Sequence, residues 1–134
     1  MTKKEITQLS YQIIGCAIKV HKMLGPGLLE SVYHKCLEYE LDRSGYDVKR
    51  EVKVSVNYED IYLDTELRID LIVNDLIVLE LKAVAEILPI HEAQLLTYMK
   101  LLKKPQGLLI NFHSTSITKS VKPFVNEYFR DLLD

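Results

Sequence analysis

One run constrains this chain more than any other: Leu76-Ile77-Val78-Leu79-Glu80-Leu81-Lys82, an apolar stretch of β-forming residues that carries two charges. Its length and composition predict a strand in the interior of a sheet. An unpaired charge in such a place costs several kcal/mol, so Glu80 and Lys82 require partners or a metal ion. Side chains alternate along a strand, which puts Glu80 and Lys82 on one face with Val78. Upstream, Asp70 stands isolated in the same way between Ile69 and Leu71, inside Leu67 to Val73.

Whether these three residues meet depends on the parity of the turn at Asn74-Asp75. A two-residue loop pairs Val73 with Leu76 and turns Glu80 away from Asp70. A three-residue loop, Asn74-Asp75-Leu76, pairs Val73 with Ile77 and sets Asp70 across from Glu80; such loops are common in hairpins. The odd loop also leaves Ile69, Leu71, Val73, Ile77, Leu79 and Leu81 on a wholly apolar opposite face. That partition favours it, and the expectation is that Asp70, Glu80 and Lys82 share a face.

The remaining segments supply the frame. Ile6, Leu9, Ile13, Ile14, Ala17, Ile18 and Val20 keep helical spacing from about Lys3 to Leu24, and Gly25-Pro26-Gly27 ends that helix. A second helix is expected over Leu28 to Ser44, with Gly45 just past its end. The period then shortens to two through Val48, Val52, Val54 and Val56, predicting a half-buried strand that turns at Asn57-Tyr58-Glu59-Asp60. A second strand is expected from about Ile61 to Val73. Pro89 suits the first turn of a helix reaching Leu102, Gly107 to Phe112 reads as a central strand, and Val121 to Leu133 as a last helix. The order α-α-β-β-β-α-β-α predicts an α/β chain, a mixed sheet with helices on both faces.

At 134 residues the chain fits a single domain over residues 1–134. No apolar run approaches the ~20 residues that cross a bilayer, and the polar N-terminus lacks a secretory apolar stretch. Cys16 and Cys36 sit in helical patterns as reduced thiols, outside any zinc-type cluster. These features predict a soluble, cytoplasmic protein without a membrane partner. Seventeen basic against 19 acidic residues give a net charge of −2, which argues against a dedicated basic nucleic-acid-binding domain but not against a local patch.

Two carboxylates on neighbouring strands lie ~5 Å apart at Cβ and repel. A divalent cation relieves that repulsion, and hard oxygen donors suit Mg²⁺ or Mn²⁺. Lys82 could then position a water or stabilise charge on a phosphate, the arrangement that metal-assisted phosphodiester hydrolysis requires. Spacing alone leaves a second reading open, an Asp70/Glu80/Lys82 ion-pair network that only closes the sheet.

Asp70 followed by Glu80-Leu81-Lys82 resembles the signature of the PD-(D/E)xK nuclease superfamily, with Ile69 where proline often stands. Gly27-Leu28-Leu29-Glu30-Ser31-Val32-Tyr33 resembles the pattern that names the GxxExxY protein family, and LGPGLLESVY, ELKAV, HEAQLLTYMKLL and GLLINF are similar to that family in order and spacing. The resemblance runs from about Ile13 to Asn126. It implies a restriction-endonuclease-like fold and makes Glu30 a third acidic member of the metal site, with Tyr33 beside it one turn on. It also implies that Gln94 faces the site, with Tyr98 a supporting hydroxyl and His91 one turn earlier. Each has an ordinary alternative: Glu30 suits the first turn of any helix, and Tyr98 and His91 suit an exposed helix face. His21, His34 and His113 show no metal-ligand spacing, so partly exposed structural roles are expected.

Two functions follow as expectations. One is a Mg²⁺- or Mn²⁺-dependent nuclease acting on DNA or RNA, with Asp70, Glu80 and Glu30 around the metal and Lys82, Gln94 and Tyr98 completing the site. The other is a nuclease-like binding or assembly module that does not cleave. A homodimer is compatible with either. Lys49, Arg50, Lys53, Arg68, Lys100, Lys103 and Lys104 are candidate phosphate contacts.

Overall fold

The computed structural model describes residues 1–134. Helix α1, Lys3–Leu24, opens on Thr2, whose Oγ1 accepts the Glu5 N–H at 3.1 Å. Its buried stripe includes Ile6, Leu9, Ile13, Ala17 and Val20, which matches the helical spacing of the sequence. The chain leaves the helix at Gly25, in the left-handed region at φ +71°. Helix α2 runs Glu30–Arg43. Tyr33 ties the connection between the two helices. Its hydroxyl donates to Gly25 O at 2.6 Å and accepts the Leu28 N–H at 3.1 Å, while its buried ring stacks on Phe112 with centroids 4.6 Å apart. Tyr33 is thus a structural strap, and it fixes where Glu30 begins its helix.

Strands β1 (Val48–Lys53), β4 (Arg68–Val73), β5 (Ile77–Lys82), β6 (Gln106–Asn111) and β7 (Val121–Val125) form one sheet in the order β1-β4-β5-β6-β7. Strands β5 and β6 are parallel, and helix α3 (Pro89–Leu102) supplies the crossover that a parallel pair requires. Helices α1 and α2 cover Leu71, Val73, Ile77, Leu79, Leu81, Leu108 and Ile110 on one face. On the other face, Leu95, Tyr98 and Met99 of α3 pack on Ile72, Val78 and Leu109. Helix α3 approaches so closely that a Cβ at Gly107 would lie 2.7 Å from Met99 Sδ. A mixed sheet with helices on both faces is the expected architecture.

Three expected segments differ. The strand through Val48 to Val56 breaks after Lys53, because Val54 turns into the α3 cluster, where it is fully buried. The chain then forms a separate two-stranded ribbon of β2 (Val56–Tyr58) and β3 (Ile61–Leu63), so the strand expected from Ile61 to Val73 is split as well. The turn shortens to Glu59-Asp60. The last helix also fails: Val121–Val125 is β7, antiparallel to β6, and helix α4 covers only Glu127–Arg130. Pro123 would break a helix interior, but it is tolerated on an edge strand, where no neighbour needs its N–H. Asn126 then caps α4, accepting the Tyr128 and Phe129 N–H groups at 3.1 and 3.4 Å.

Candidate functional site

Strands β4 and β5 are joined through Asn74, Asp75 and Leu76. Asn74 and Asp75 both take the left-handed conformation, at φ +51° and +58°, which Asn and Asp tolerate better than most residues. Val73 pairs with Ile77, Ile72 with Val78 and Leu71 with Leu79, the register of the three-residue loop. The next step of that register sets Asp70 opposite Glu80. There the ladder changes character: the Asp70 N–H donates to Glu80 Oε1 at 3.3 Å, and the Leu81 N–H donates to Asp70 Oδ2 at 2.7 Å. Carboxylates stand in for the backbone acceptors a regular ladder would use.

Strict alternation gives way at the same point. Ile69 packs with Ile72 and Val78 on the α3 side, not with Leu71 and Val73. This corrects the apolar face expected to include Ile69; a local irregularity in a strand re-aims side chains in this way. Across β1, Glu51 lies between the paired residues Arg50–Leu71 and Val52–Ile69, and it has a positive φ of +49°.

The electrostatics of the cluster are one-sided. Burial first, and then the Asp70 charge, push the Glu80 carboxyl up to about 8, against the opposing pull of the Asp70 N–H and Lys82. Burial also raises Asp70, although the Leu81 N–H, His34 and Lys82 favour its charged form. Glu30, at the start of α2, is raised by partial desolvation and by Asp70, with Lys82 and His34 acting the other way. Half-buried Lys82 therefore stands near enough to ease all three carboxyls. From α3, Tyr98 completes the wall: burial and Glu80 raise its hydroxyl, and Gln94 opposes them. His91 does not join the site. Its Nδ1 accepts the Leu88 N–H at 3.1 Å, an N-terminal capping bond on α3.

The tightest group of potential metal ligands differs from the expected Asp70/Glu80/Glu30 set. His34, Glu51 and Asp70 each offer one ligand atom, all within 4.8 Å of one another. His34 Nδ1 lies 4.0 Å from Glu51 Oε1, and His34 Nε2 lies 3.7 Å from Glu38 Oε1. Sequence reasoning missed both His34 and Glu51. The available signal for His34 was its i,i+4 relation to Glu30, which puts both on one side of α2. Glu51 becomes visible only once β1 is registered against β4.

The donor chemistry fits a divalent cation. Burial raises all three carboxyls, and the Asp70 charge adds to the rise of Glu80 and Glu30. The backbone bonds use Asp70 Oδ2 and Glu80 Oε1, leaving Asp70 Oδ1 and Glu80 Oε2 for another ligand. Carboxylate oxygens suit hard divalent cations, and an imidazole nitrogen beside them suits a transition-metal ion. Cys16 and Cys36 are free and half-buried, and neither belongs to the group.

The candidate phosphate contacts are divided between paired and unpaired side chains. Lys49 and Lys104 pair with Asp75, Arg50 with Glu38, and Arg68 with Glu66; Lys53, Lys100 and Lys103 carry no ion pair. No helix is long and apolar enough to cross a membrane. Compared with known families, the chain matches the model of the PD-(D/E)XK nuclease superfamily over residues 7–124. No curated protein and no solved structure matches it.

Proposed function

Because the chain belongs to the PD-(D/E)XK nuclease superfamily, we propose that it hydrolyses phosphodiester bonds of a nucleic acid, DNA or RNA, with the aid of Mg²⁺ or Mn²⁺. The observation that carries this reading is the interlocked pair Asp70 and Glu80, each with one carboxylate oxygen to spare, beside Lys82. Asp70 and Glu80 would hold the cation, with Glu30 on its accessible side and His34 and Glu51 as neighbouring donors. When bound, the cation neutralises charge on the phosphate and makes a nearby water more acidic. Lys82 orients the attacking water and donates to the phosphate oxygen on which charge develops. Tyr98 and Gln94 hold that side of the site in place. The raised carboxyl of Glu80 must lose its proton before it can serve as a ligand, so cation uptake and proton release are coupled.

A second reading, a nuclease-like module that does not cleave, draws on the same bonds: Asp70 and Glu80 already satisfy backbone donors, so the cluster can close the sheet unaided. Incubation of labelled single- and double-stranded DNA and RNA with Mg²⁺ or Mn²⁺ separates the two. The nuclease reading expects cleavage that EDTA stops and that Lys82→Ala cuts by about 10²–10³-fold. Intact substrates under every condition would leave the binding module.

A further inference from the structure

The β2–β3 ribbon stands outside both cores. Its register pairs Val56 with Leu63 and Tyr58 with Ile61, and partners across an antiparallel pair share a face. One face is therefore Val56, Tyr58, Ile61 and Leu63. None of the four is buried, and Tyr58 and Ile61 are 63% and 55% exposed. A lone two-stranded hairpin is marginal in water. Only the neck holds it, through the Val54 N–H to Leu67 O at 2.9 Å and the Leu67 N–H to Thr65 Oγ1 at 3.1 Å.

The ribbon's charge narrows what could cover it. Glu59, Asp60, Asp64 and Glu66 are all exposed, and no Lys, Arg or His lies between Val54 and Leu67. Such a surface repels phosphate, so the ribbon is no clamp for nucleic acid. It also repels a second ribbon laid against it face to face.

A complementary surface exists elsewhere on the chain. Between α1 and α2 runs a cleft of about 280 Å³ whose apolar lining is Val20, Met23, Leu24, Cys36 and Tyr39. Met23 and Tyr39 are largely exposed. Lys35 lines the cleft and is exposed, with no acidic partner. The acid of the cleft, Glu40, is already paired with Lys19 at 3.1 Å.

We propose that two copies of the chain exchange these surfaces, each seating its acidic ribbon in the α1–α2 cleft of the other. The apolar face meets the apolar lining, and the acidic turn Glu59-Asp60 meets Lys35. Exchange about a twofold axis covers both surfaces of both copies and closes the assembly.

Sedimentation equilibrium of the full chain tests this. A dimer that dissociates on dilution is expected, weakened by salt. Ile61→Asp, and separately Lys35→Glu, should each weaken association about tenfold or more. Adding Glu59→Lys and Asp60→Lys to the Lys35→Glu chain should restore it. All these residues are exposed, so a melting temperature unchanged in the dilute monomer confirms that each variant folds. A monomer at every concentration, or a dimer indifferent to both sets of substitutions, overturns the proposal.

Discussion

Hairpin β4–β5 and ribbon β2–β3 share a connectivity and much of their strand chemistry, apolar residues interspersed with acids. The first lies between β1 and β6 with helices on both faces, and Ile77, Val78 and Leu79 are fully buried. The second has three residues per strand and no neighbouring strand. Its acids stay in water. In the first hairpin the same residue type becomes chemistry, because Glu80 beside Asp70 is pushed up to about 8 by burial and repulsion. A carboxylate acquires unusual reactivity from what is packed around it, and strand pattern alone does not confer it.

Four experiments probe this contrast, in decreasing order of size. Lys82→Ala, on the buried hairpin, should cut phosphodiester cleavage by about 10²–10³-fold in a steady-state assay. Glu59→Gln with Asp60→Asn, on the ribbon, should leave turnover unchanged, and a comparable loss there would erase the distinction. In the second experiment, Ile77→Ala should cost about 2–5 kcal/mol in urea unfolding. Ile61→Ala, measured in the dilute monomer, should stay within about 0.5 kcal/mol.

The third experiment tracks stability against pH in cation-free protein. The folded-state pKa of Glu80 lies above its unfolded value, so between about 4.5 and about 8 the unfolded chain has shed a proton that the folded chain keeps. Stability from this group is therefore full at low pH and falls as pH rises through that window. Asp70 and Glu30 shift in the same direction. Glu80→Gln should flatten the profile of thermal midpoints, and an unchanged slope would show that Glu80 ionises normally. The smallest effect belongs to the neck. Thr65→Val removes the hydroxyl bond to Val54 O, worth roughly 0.5–1.5 kcal/mol. Hydrogen exchange should quicken in the ribbon amides alone, whereas a lower global stability would show the ribbon to be part of the core unit.

The register at the site was legible because one loop parity sets Asp70, Glu80 and Lys82 against an apolar opposite face, a partition from which Ile69 alone departs. Helices α1 and α3 were legible from spacing, and Gly25 and Pro89 marked their ends. The ribbon was not, because Val54 continues the period of two and only the packing of α3 turns it inward. Val121 to Leu133 misled for a similar reason: Phe124, Val125, Tyr128, Phe129 and Leu132 keep helical spacing, yet β6 offers Val121–Val125 an edge to pair with. At the site, Glu30 came from a family resemblance, whereas His34 and Glu51 depend on the α2 and β1 positions that long-range packing sets.

The proposed mechanism stands on a cation held by Asp70 and Glu80 where the β4–β5 ladder opens. Calorimetric titration of Mn²⁺ into the wild-type chain and into Asp70→Ala, near pH 7 in two buffers of different ionisation heat, puts that site to the test. Saturable uptake by the wild type is expected, with a buffer-dependent heat from the departing Glu80 proton, and none by Asp70→Ala. Equal uptake by both chains would contradict it.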